Sequence, residues 1–155
     1  MFNKRWVRVG LVALAIFLIN AVSRLISRLA DRGEDATGID PMALIGAGTV
    51  VLLMAAAAVY WAIRYPFSRM VFDLGAAAIV GALLSLVIGP FVGGNVPFEE
   101  GLGFFVGQFL QFMGLAALGI FLGFAGTIVL GKDWKSRGLK RYEERYQKRP
   151  HRTVR

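Results

Sequence analysis

Cysteine is absent from this 155-residue chain, which excludes disulfides, thiolate metal sites, iron–sulfur clusters, cysteine nucleophiles and a lipidated cysteine anchor. Histidine is almost absent: His151 stands alone, near the C-terminus among basic residues, which argues against haem and imidazole-held metals. Charge is scarce, at 18% of residues. Only Asp73, of ten acidic residues, interrupts an apolar stretch, so the paired carboxylates that acid–base catalysis needs are missing. There is no GxxxxGK[ST], HExxH or GxSxG segment. Gly101-Leu102-Gly103 is not a nucleotide loop, because no strand pattern precedes it. No catalytic residues, metal or cofactor are therefore expected, and the chain reads as a non-enzyme. No internal repeat is found.

What is present is apolar. Hydrophobic residues make up 56% of the chain and gather in blocks of about twenty, the length at which a helix rising 1.5 Å per residue crosses ~30 Å of hydrocarbon. The expected fold is all-α, an integral-membrane four-helix bundle. A membrane domain over 1–131 contains spans at about 6–26, 41–63, 69–89 and 102–130, followed by a basic, partly helical tail over 132–155.

The first span reads as retained rather than cleaved as a signal peptide, since its helical pattern continues past Ala21-Val22-Ser23 to Gly33. In that extension Asn20, Arg24, Arg28 and Arg32 recur every fourth residue and share a face. Ile39-Asp40-Pro41 predicts the second helix start, with Asp40 as cap and Leu44 closing on Ile39. Tyr60, Trp61 and Tyr65 are expected at headgroup depth beside Arg64. Gly89-Pro90 is expected to end the third span, and the glycine-rich stretch 90–101 to form a turn or re-entrant hairpin.

Orientation follows from the basic residues. Lys4, Arg5, Arg8, Arg64, Arg69 and ten tail residues fall on one side, against Arg24, Arg28 and Arg32 on the other. Positive flanks stay cytoplasmic, so a multi-pass protein of the cell membrane with both termini inside is expected.

Three features are candidates for function. Small residues recur at four-residue spacing in the third span (Ala77, Gly81, Ser85, Gly89) and the fourth (Gly107, Gly119, Gly123, Thr127). In lipid such residues let backbones approach, and the two series are expected to fit each other or to receive another subunit. A candidate intramembrane polar site comprises Asp73, expected to pair with Arg69, and an outward-facing group of Asn20, Arg24, Gln108 and Gln111. Asn20, Ser85, Gln108, Gln111 and Thr127 are expected to hydrogen-bond between helices. Finally, Arg28, Arg32, Trp134, Lys135, Arg137, Lys140 and Arg141 are expected to contact anionic headgroups or a partner protein.

The sequence thus favours a non-catalytic accessory or scaffold subunit, or a small homo-oligomer, that acts by lateral helix packing. Its partners would be the anionic bilayer and another membrane protein or a second copy, rather than nucleic acid despite a net charge of +8. The alternative is a small transporter or channel component, or a lipid-binding membrane protein.

Overall fold

A computed structural model describes residues 4–29, 41–94, 101–132 and 134–147. These are almost wholly helical: α1 (Lys4–Leu29), α2 (Pro41–Arg64), α3 (Phe67–Val87), α4 (Gly89–Gly93), α5 (Leu102–Val129) and α6 (Trp134–Gln147). Among the described residues, α1, α2, α3 and the stretch beginning with α5 are long and apolar enough to cross a membrane. Their 21 to 28 residues correspond to about 32–42 Å.

The connections show why the helices begin and end where they do. Tyr65 still donates its backbone N–H to Trp61 O, but Pro66 cannot extend α2. The Pro66 carbonyl instead accepts from Arg69 N and Met70 N, both at 3.1 Å, and α3 starts at Phe67, ahead of the expected Arg69. At the other end α3 closes at Val87, with Ile88 N bonded to Leu84 O. Gly89-Pro90 do not merely stop that span. They open α4, because proline's missing donor and fixed φ suit a first helical turn. Gly94, at φ 84°, ends α4 in the left-handed region. Beyond α5, Gly131 (φ 58°) donates to Ile128 O while Lys132 donates to Thr127 O, the paired bonds of a Schellman C-terminus. This closure separates α5 from the polar α6. The expected Asp40 cap, the Ile39–Leu44 closure, Arg32 and the second half of the 90–101 loop lie outside the described residues.

Around the bundle the order is α1, α2, α5, α3. The heaviest packing is of α2 on α5 and of α1 on α3, while α2 and α3 touch only lightly and α1 and α5 do not meet. The short α4 lies against α1 and α3. Ile16, Val50, Met54, Met70, Leu74 and Ala116 fill the centre.

Both glycine series are used, but not on each other. An added Cβ at Gly119 would lie 2.5 Å from Val51 O and 2.8 Å from Met54 Cβ, and one at Gly123 would run into the Ala55 backbone, so this part of α5 seats on α2. A Cβ at Gly81 would lie 2.9 Å from Ile16 Cγ2 and 3.1 Å from Ala13 O, so α3 seats on α1, with Ala77 buried beside Ala13. Gly89 serves a side chain instead, since its Cβ would lie 3.3 Å from Arg24 Nε.

Nor is the fourth-span series one stripe. Four residues advance a helix by roughly 40° more than a full turn, so the series winds around α5. Gly119, Gly123 and Thr127 are buried, whereas Gly103 and Gly107 face outwards on nearly the opposite side.

Candidate functional site

The best-defined polar site forms where α1 begins and α2 turns into α3. Asp73, one and a half turns into α3, is 1% exposed, and a carboxylate at that depth requires partners. Arg5 of α1 supplies the main one: Nε and Nη2 both donate to Oδ1, at 2.8 and 2.5 Å. Trp61 of α2 donates Nε1 to Oδ2 at 3.1 Å. Arg69, the expected partner, approaches Oδ2 only to 3.8 Å through Nε, close enough for ionic attraction but too far for a hydrogen bond. One carboxylate therefore ties three helices together.

Aromatic rings order the surrounding cations. Arg8 donates Nη1 to the Tyr65 hydroxyl at 2.9 Å. The Arg69 guanidinium lies 4.3 Å from the centre of the Tyr65 ring, and Arg64 lies 4.0 Å from that of Tyr60, away from Asp73. Arg5 is within 5.5 Å of the Trp6 ring and 5.7 Å of the Phe72 ring, both exposed on the outside of the bundle.

These groups line a cleft of about 190 Å³ bounded by Lys4, Arg5, Arg8, Trp61, Tyr65, Arg69 and Asp73. Among the described residues, four cations thus face one carboxylate. Both carboxylate oxygens are engaged, and Arg69 Nε is buried with no hydrogen-bond acceptor among the described residues. Chemically this is a site for holding negative charge.

The second expected polar group does not assemble. Asn20 and Arg24 bond to each other within α1, Arg24 Nε donating to Asn20 Oδ1 at 2.9 Å. Gln108 and Gln111 lie on α5, which α1 does not touch. The expected bonds between helices are also missing among the described residues. Thr127 donates to Phe124 O in its own helix, as Ser23 does to Ile19 O and Thr49 to Ile45 O, while Ser85 Oγ is buried without a partner. Thr127, Ser23 and Thr49 thus use a carbonyl three or four residues back on their own helix, and Ser85 does not.

At the opposite end of the bundle Arg28 reaches the Val92 carbonyl, 3.4 Å from Nη1, and holds α4 against α1. In α6, Trp134, Leu139 and Tyr142 are exposed, as are Lys135 and Arg137; the side chains of Lys140 and Arg141 lie outside the described residues.

The outer face of α5 is the remaining candidate surface. Gly103, Gly107 and Gly114 lie there within roughly 40° of one another, and an added Cβ at any of them would meet nothing within 4 Å. Gln111 is exposed at the edge of this face.

Sequence reasoning reached Asp73 and Arg69 but missed Arg5, Trp61, Arg8 and Tyr65. Trp61 reads as a headgroup-level aromatic, yet it is 5% exposed and turned inwards to the carboxylate. The available signal was that an unpaired Asp73 needs strong donors, and Arg5 lies at the same depth on another helix. Comparison with protein-family models, curated proteins and solved structures finds no match.

Proposed function

We infer that this is a non-catalytic membrane protein acting through lateral helix packing, as an accessory or scaffold subunit of a membrane complex or as a small homo-oligomer. Its place would be the cell membrane, with both termini in the cytoplasm and the basic α6 segment against anionic headgroups.

The observation that carries this reading is the outer face of α5. One glycine face, at Gly119 and Gly123, is filled by α2, and the same chemistry is repeated at Gly103, Gly107 and Gly114 with none of the described helices upon it. In hydrocarbon these glycines gain nothing from lipid that a leucine would not gain better, whereas a second helix could seat on them beside the exposed Leu110 and Phe121. Gln111 adds an exposed amide in the same span, whose hydrogen-bonding capacity is met best by another helix.

The test is cross-linking in intact membranes, with mass measurement in mild detergent, for the wild type and for Gly107→Leu and Gly114→Leu. A complex or oligomer lost in both variants, while the chain stays folded, supports the reading. A strictly monomeric wild type without partner, or association indifferent to both substitutions, overturns it. The transporter alternative is weakened because Asn20 and Arg24 do not meet Gln108 and Gln111.

A further inference from the structure

We propose that the cleft between the start of α1 and the α2–α3 turn is a binding site for one phosphate group. This inference is independent of the α5 face.

The first argument is charge. Among the described residues, Lys4, Arg5, Arg8 and Arg69 bound the cleft with Asp73 as the only acid, an excess of three positive charges. Crowding cations is unfavourable unless an anion lies among them, and Asp73 has both oxygens committed to Arg5 and Trp61.

The second argument is hydrogen bonding. Arg69 Nε is buried without an acceptor, 3.8 Å from Asp73 Oδ2, and an oxyanion in the cleft would remove the desolvation penalty of that donor. Arg8 uses one N–H on the Tyr65 hydroxyl, out of the five that a guanidinium carries. Tyr65 is itself stacked on Arg69, so the ring holds both guanidiniums in place before any ligand arrives. A tetrahedral phosphate presents acceptors in several directions at once, matching donors that come from α1 and α3. Arginine forks with a lysine point charge are the usual means of holding it.

The third argument is size. About 190 Å³ accommodates a phosphate and some water, but not an acyl chain. If the phosphate belongs to a lipid, its tails must lie outside. The exposed Trp6 and Phe72 rings flank Arg5 there and continue the site as an apolar surface.

The experiment is native mass spectrometry of the full chain in a neutral detergent. It is titrated with phosphatidic acid, phosphatidylglycerol and phosphatidylcholine, with and without inorganic phosphate as competitor. Phosphatidic acid or phosphatidylglycerol should fill one saturable site in preference to phosphatidylcholine. Arg8→Gln and Arg69→Gln should each weaken it about fivefold, as expected for one interfacial cation. Arg8→Lys should retain most binding, and Lys132→Gln, outside the cleft, should change nothing. Should Arg69→Gln fail to fold, Lys4→Gln at the exposed start of α1 gives the same reading. Competition by inorganic phosphate would establish that the phosphate alone is recognised, and its absence that the group is taken as part of a lipid; both support the site. No saturable anionic binding, or binding equal in the wild type and the Arg8 and Lys4 variants, overturns it.

Discussion

Breaking the Arg5–Asp73 pair from either side should have unequal consequences. Asp73 is 1% exposed and the Arg5 side chain 31% exposed. Removing one partner of a fully buried pair costs about 3–5 kcal/mol, because the other charge remains desolvated and alone. Arg5→Met leaves the carboxylate with the Trp61 donor and with Arg69 at 3.8 Å, which moderates the loss. We expect about 3 kcal/mol, the low end of that range. Asp73→Leu frees a guanidinium that already reaches the surface beside the Trp6 and Phe72 rings, but it strips Trp61 Nε1 of its acceptor. About 2 kcal/mol is expected, chiefly from that buried donor. The double variant Arg5→Met/Asp73→Leu removes both charges of the pair and keeps the losses at Trp61 and Arg69 that Asp73→Leu already carries, about 2 kcal/mol. The double-mutant cycle should therefore be strongly non-additive, with a coupling of about 3 kcal/mol. Unfolding by dodecyl sulfate in mixed micelles, followed by circular dichroism and tryptophan fluorescence, measures all four proteins. Additive single effects, or a larger loss from Asp73→Leu than from Arg5→Met, would refute the reasoning.

Gly123→Leu should destabilise by at least about 3 kcal/mol in the same assay, because its side chain would meet the backbone of Ala55 rather than a movable side chain. Gly107→Leu, where a Cβ meets nothing, should leave the stability of the monomer within about 0.5 kcal/mol of wild type. Trp61→Phe keeps an aromatic ring, smaller than indole, but loses the donor to Asp73 Oδ2 and should cost about 1–3 kcal/mol, read as a lower dodecyl sulfate midpoint. Gly131→Ala forces a Cβ into φ 58° and should cost about 1 kcal/mol, seen as a lower thermal midpoint by circular dichroism.

The four long helices were legible in the sequence because hydrophobic length is a local property, summed along the chain without knowledge of neighbours. Boundaries were less so: Pro66 and Pro90 mark breaks equally well, but only their backbone partners decide that each opens the next helix. Pairing between helices was misread. Four-residue spacing suggested one stripe on α5, whereas the drift of about 40° per step turns Gly107 away from Gly119 and Gly123. The Asp73 site was half visible for the same reason. Arg69 is one helical turn away in sequence, while Arg5 is 68 positions distant and Trp61 is on another helix. Nothing in the local pattern ranks the near cation below the distant one; the bundle order does.

That order, α1, α2, α5, α3, also implies a sequence of assembly. The short turn through Tyr65 and Pro66 joins helices at opposite corners, so the first three long helices leave a slot between α2 and α3, across from α1. Its α2 wall is backbone, the carbonyls of Val51 and Ala55, which only a helix with glycine at the facing positions can approach. During synthesis α5 emerges after α1, α2 and α3 and is shaped as the key to that slot. A chain cut between α4 and α5 should thus remain an open three-helix receptor, and a separately supplied α5 should close it in trans.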